Sequence, residues 1–143
     1  MIICFASITL LIDQISKVLV LTHLTPGQTT PVIPRILSLT LVRNPGVAFG
    51  FFRDHNNIAL SLVITGCILL VLIMLKIRFI SRIQQVACGM MIGGAIGNIV
   101  DRIHYGAVID FIDVHVWPVF NIADSFISLA ACFFIISLFR RRM

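Results

Sequence analysis

Residues 93–124 read GGAIGNIVDRIHYGAVIDFIDVHVWPVFNIAD, and the rest of the chain is organised around them. The stretch holds four of the six acidic residues, Asp101, Asp110, Asp113 and Asp124, and it begins and ends inside apolar segments long enough to cross a bilayer. A carboxylate at membrane depth is costly to bury, so by default it marks function. Asp110 and Asp124 in particular can form a catalytic pair at a membrane surface.

Composition agrees with that setting. The 143 residues leave room for one domain, 1–143, yet 59% are hydrophobic and only 12% charged, a balance that no ordinary soluble domain of this size shows. The formal charge of +5 invites a nucleic-acid reading. However, Lys76, Arg78 and Arg82 flank apolar runs, and Arg140, Arg141 and Arg142 lie at the end of the sequence, which is the placement of topology signals and not of a nucleic-acid patch. Cys4, Cys67, Cys88 and Cys132 all sit in apolar segments with no CxxC pair and no Cys/His zinc spacing, so a disulfide framework or metal site is not expected.

Working outward from the central stretch, a span over 83–103 carries Gly89, Gly93 and Gly97 at four-residue steps, a ridge of small residues that lets a neighbouring helix approach closely. One more step reaches Asp101. The adjacent row is Gly94, Asn98 and Arg102, so an amide, a guanidinium and a carboxylate gather at one end of the helix. Packing explains the glycines but not Asn98, Asp101 and Arg102 together; a structural Asp101–Arg102 cluster is the alternative for the last two. The loop 104–118 holds His104, Tyr105, Asp110, Asp113, His115 and Trp117. No His/Asp pair there has the helical i, i+4 spacing of a zinc motif, so no metal is expected. Tyr105 and Trp117 suit an interfacial aromatic belt. Pro118 then introduces a span over 119–139, near whose start Asn121 and Asp124 read either as an N-cap with an acid three positions on or as part of a site.

The N-terminal half supplies the other two spans. Residues 2–21 are apolar apart from Asp13, Gln14, Ser16 and Lys17, and they lack the basic start and small-residue cleavage site of a removed signal, so they read as a retained span. Asp13 and Lys17, four apart, share a helix face and can pair; the plain reading is an ion pair that docks this helix. From 22 to 57, Pro26, Gly27, Pro31, Pro34, Pro45 and Gly46 break any helix. Within it, residues 36–42 alternate in the manner of a half-buried strand, followed by a turn at 43–46 and by Phe49, Phe51 and Phe52. That describes either a small β-like platform with an aromatic rim or a plain connector. Residues 58–75 are 18 uncharged positions, about 27 Å of helix, just enough to cross. The basic loop after them belongs in the cytoplasm by the positive-inside rule, which puts both termini there and the loops 22–57 and 104–118 outside.

Five short patterns in this order, DQISK (13–17), NPGVAFG (44–50), GGAIGNIVDR (93–102), VIDFID (108–113) and FNIAD (120–124), resemble those of the lipoprotein signal peptidases, or signal peptidase II, membrane aspartic peptidases of bacteria. Each pattern alone is weak; five in order are specific. The resemblance implies an all-α membrane protein of four transmembrane helices with a small β-like periplasmic platform between helices 1 and 2. It also implies a catalytic dyad of Asp110 and Asp124, with Asn44, Gly46, Asn98, Arg102 and Asn121 shaping the site and holding substrate. Asp13, Lys17 and Asp101 would support the fold. The implied enzyme is a monomer in the bacterial inner membrane with its site on the periplasmic side. It uses no metal or organic cofactor and cuts diacylglyceryl-modified prolipoproteins before the lipidated cysteine. From the residues alone two rivals stand beside it: a non-enzymatic carrier in which Asp13, Asp101, Asp110 and Asp124 relay protons, and a purely structural membrane module.

Overall fold

The structure is a computed structural model that describes residues 1–45, 65–66 and 81–140. Its elements in chain order are α1 (Ile2–His23), β1 (Thr29–Ile33), β2 (Leu37–Asn44), α2 (Arg82–Tyr105), β3 (Val108–Asp113) and α3 (Ile122–Arg140). The expected span 58–75 lies outside the described residues except for Thr65 and Gly66, which are helical; Gly46, the Phe49, Phe51 and Phe52 rim and the basic loop at 76–80 also lie outside them.

Helix α1 is built inside out. Its buried residues are Thr9, Asp13, Lys17 and Val20, three of them polar, while Ile3, Leu11, Ile15, Val18 and Leu19 are exposed. A stripe of polar residues at steps of three and four can face inward, with aliphatic side chains outward, only if the surroundings are apolar too. Both α1 and α2 are long and apolar enough to cross a membrane, and the apolar part of α3, Ile122–Ser137, is shorter.

Helix α2 is sandwiched between α1 and α3, and its two glycine rows explain how. A methyl group on Gly89 would sit 2.6 Å from the Ile2 carbonyl oxygen, one on Gly93 would collide with the Ala6 carbonyl and one on Gly97 with the Asp13 carboxylate. The neighbouring row faces the other way: a methyl on Gly94 would lie 2.9 Å from the Ala123 carbonyl oxygen and from Ile127 Cγ1. One ridge thus receives α1 and the other α3, the close approach that small residues permit. Ser81 starts α2 with a reciprocal capping box to Gln84, at 3.2 and 3.0 Å. Gly106 ends it at φ 69°, where a side chain would be strained, and turns the chain into β3.

The sheet is antiparallel in the order β1-β2-β3. This corrects the expected architecture, because the platform is not confined to the connection between the first two helices: its third strand comes from within 104–118, so the chain is not all-α. The expected strand at 36–42 is observed as Leu37–Asn44, with Arg43 and Asn44 inside the ladder and not in a turn. The sheet closes a core in which Val20 of α1 packs with Leu41, Ile109 and Phe111. A second cluster of the interior is formed by Ala87, Met90 and Ala130.

Candidate active site

The two candidate carboxylates come from different elements. Asp110 is carried by β3 and Asp124 by the first turn of α3. Asn121 caps that helix, its Oδ1 accepting from the Asp124 N–H at 2.9 Å. The cap geometry leaves the amide of the same side chain pointing back to Asp110, so one residue both caps the helix and reaches the candidate carboxylate.

Asparagine side chains join the two acids. Asn121 Nδ2 donates to Asp110 Oδ1 at 2.7 Å and to Asn98 Oδ1 at 3.1 Å, while Asn98 Nδ2 donates to Asp124 Oδ1 at 2.9 Å. The second oxygen of Asp110 accepts from Asn44 Nδ2 at 3.0 Å. A kink in β2 brings Asn44 there. Leu39 faces Ile112 and Val42 faces Asp110, so β2 uses three residue steps where β3 uses two. The extra residue is a β-bulge, and it reverses which side chains share a face beyond it. In an unbroken ladder Arg43 would share the face of Asp110; with the bulge Asn44 does, and Arg43 is exposed.

Asp110 is 2% exposed. Burial is the main force that pushes its carboxyl up, to about 6; the hydrogen bonds from Asn44 and Asn121 and the charge of Lys17 oppose the rise, and the charge of Asp124 adds to it. Charge on Asp124 therefore disfavours charge on Asp110, so the two carboxyls do not ionise independently.

Behind the pair lies a buried ionic cluster. Lys17 Nζ is 2.8 Å from Asp13 Oδ2, 2.7 Å from Asp101 Oδ2 and 3.1 Å from Asn98 Oδ1. The expected Asp13–Lys17 pair is therefore present, and Asp101 is also paired with Lys17 from another helix, a contact that spacing along α2 cannot reveal. Arg102 is buried beside the site and its Nη1 donates to the Asn98 carbonyl at 3.3 Å. Sequence reasoning also passed over Gln14, whose Nε2 reaches Asp13 Oδ2, the Gly97 carbonyl and Asp101 Oδ1, each at 3.2 Å.

Asp113 and the two loop histidines are elsewhere. Asp113 Oδ1 accepts the His115 N–H at 2.9 Å and Oδ2 accepts from Thr40 Oγ1 at 2.9 Å, while His115 Nε2 lies 3.2 Å from Ser38 Oγ. The His115 N–H first, and Thr40 after it, hold the Asp113 carboxyl below the usual range. This group fastens the far end of the sheet. His104 Nδ1 turns back to the Val100 carbonyl at 3.1 Å.

A family model described as signal peptidase (SPase) II matches residues 5–140. The lipoprotein signal peptidase of Syntrophus aciditrophicus (strain SB) is 37% identical over 148 residues, 96% of this chain and 91% of its own length. That of Thermodesulfovibrio yellowstonii (strain ATCC 51303 / DSM 11347 / YP87) is 40% identical over 133 residues, 88% and 86% of the two chains. Two solved structures, both described as a bacterial membrane enzyme obtained by the in meso method, superpose with TM-scores of 0.89 and 0.86 at 33% identity. They cover 97% and 96% of this chain and 87% and 91% of their own. With the family pattern matched from residue 5 to residue 140 and the same fold found in a membrane enzyme, the chain belongs to the signal peptidase II family.

Proposed function

We propose that this chain is a membrane aspartic endopeptidase that removes the signal peptide from diacylglyceryl-modified prolipoproteins, cutting before the lipidated cysteine, with Asp110 and Asp124 as its dyad. Membership of the signal peptidase II family, whose relatives include lipoprotein signal peptidases, gives the reaction class and substrate class. The single observation that carries the assignment of residues is the amide bridge Asp110–Asn121–Asn98–Asp124, which holds two carboxylates from separate elements at one place.

The chemistry follows from one shared proton. The charged carboxylate takes a proton from a water molecule as that water attacks the scissile carbonyl carbon. The protonated one hydrogen-bonds the carbonyl oxygen, whose growing negative charge it stabilises, and the proton gained from water is then available to the departing amine. Asn44 and Asn121 keep the Asp110 oxygens oriented throughout. Arg102 and Gly46 complete the binding walls on this reading.

The setting is a single membrane domain, 1–143, of four spans that include 58–75, with both termini in the cytoplasm and the sheet on the periplasmic side of the inner membrane. A substrate with two acyl chains diffuses in the membrane plane and presents its scissile bond near the outer interface, the level expected for the outer end of α2 and the start of α3. On this reading one chain supplies both residues of the dyad and works as a monomer surrounded by lipid.

The test is direct. Protein purified in detergent and treated with a chelator is expected to cleave a diacylglyceryl lipobox peptide immediately before the modified cysteine and to leave the unlipidated peptide intact. Cleavage of both peptides alike, or of neither by folded protein, would contradict the proposal.

A further inference from the structure

The Asp13–Lys17–Asp101 cluster is more elaborate than helix docking requires. The glycine ridge already brings α1 against α2, and burying three charges is an expensive way to add adhesion; apolar residues of similar size commonly do as well or better. What the cluster does have is an address at each end. Asp101 Oδ2 accepts the backbone N–H of Ile109 at 3.1 Å, the residue immediately before Asp110. Asp13 Oδ1 accepts the backbone N–H of Ala123 at 2.9 Å, the residue immediately before Asp124.

Lys17 joins the two addresses. An ammonium has three N–H donors, and those of Lys17 meet Asp13, Asp101 and Asn98 Oδ1. The third contact also fixes the sense of the Asn98 amide. With Oδ1 held by Lys17 and by Asn121, Nδ2 is left to face Asp124. From this geometry we infer that Lys17, Asp13 and Asp101 are positioning residues: one ammonium sets where β3 presents Asp110, where α3 presents Asp124, and which end of Asn98 meets the second acid. The inference rests on the dyad reading above and deepens it.

A misplacement of about 1 Å at a reacting pair costs on the order of a hundredfold in rate. The test therefore separates rate from stability with a neutral, near-isosteric triple variant, Asp13→Asn/Lys17→Met/Asp101→Asn. It removes all three buried charges together and leaves none of them unpaired. Thermal unfolding in detergent, kcat, KM and the pH–rate profile on the diacylglyceryl lipobox peptide are measured per folded molecule. The expected result is a melting temperature close to the parent's, KM within about threefold, and kcat down on the order of a hundredfold. The spacing between the two limbs of the pH profile changes as well, because that spacing reports how strongly the two acids couple. The groups that face the pair and enter that profile are Lys17, Asp13, Asp101 and Arg102.

Parent-like kcat and an unmoved profile in the folded triple variant would overturn the inference and leave the cluster a docking device. If the triple variant does not fold, Asp101→Asn alone, which keeps the Lys17–Asp13 pair, carries the same readout: a kcat loss of about tenfold or more with KM retained is expected, and parent kcat overturns it. Asp110→Asn in the same assay keeps the two claims apart. If that variant is active the dyad assignment fails; if it is dead while the cluster variants run at the parent rate, only the positioning role fails.

Discussion

Asn44→Ala removes an amide that donates to Asp110 Oδ2 at 3.0 Å while leaving the second donor, Asn121, in place. A hydrogen bond to a charged group is worth roughly 1.5–3 kcal/mol net, and one pKa unit corresponds to about 1.36 kcal/mol. Because Asn44 is half-exposed, and water can partly replace it, the lower end applies, so the loss is on the order of one unit. The sign is fixed: the amide stabilises the carboxylate, so its removal favours the protonated form and raises the pKa from about 6. The limb on which kcat/KM falls as pH rises reports loss of the shared proton in the free enzyme, and it should move upward by about one pH unit in the variant. The assay is kcat/KM against pH on the diacylglyceryl lipobox peptide. An alkaline limb that stays in place or moves down, in folded protein, refutes the electrostatic role given to Asn44.

Two further outcomes follow from the fold. Gly93→Ala would drive a methyl group into the Ala6 carbonyl and to 2.9 Å from Thr9 Cβ; backbone cannot rotate away, so the α1–α2 contact should lose about 1–3 kcal/mol, seen as a lower melting temperature in detergent, and an unchanged one would mean that the ridge is not tightly packed. For topology, a reporter active only outside the cytoplasm should be active when fused after His115 and silent after Arg142; the reverse pattern would put the acids on the wrong side for a lipoprotein peptidase.

Much of this was legible in the sequence because it depends on local spacing. Steps of four exposed both the glycine ridge and the Asp13–Lys17 pair, and both were found where a 3.6-residue period puts them. The sheet was harder. Pro31 and its neighbouring prolines mask β1, which tolerates one because, among the described residues, it is an edge strand. β3 carries Asp at every third position, which hides the period of two. The bulge that exchanges Arg43 for Asn44 beside Asp110 is a property of two strands paired, invisible in either alone. Asp101 shows the same limit: spacing along α2 offered only Arg102 as a neighbour, while the ion pair with Lys17 of α1 forms across the helix interface and is visible only in the fold.

The measurement closest to the central claim is the activity of Asp110→Asn and Asp124→Asn, each verified as folded by its thermal transition, on a diacylglyceryl prolipoprotein. Asn keeps the size of Asp but cannot titrate, so each change removes either the base or the shared proton. The two groups act as a unit, so each single variant should lose most of the rate and the double variant little more. The parent's bell-shaped pH profile should belong to the pair, with both limbs changed in either variant. A folded Asp110→Asn or Asp124→Asn enzyme that still cleaves the substrate at near the parent rate would contradict the account.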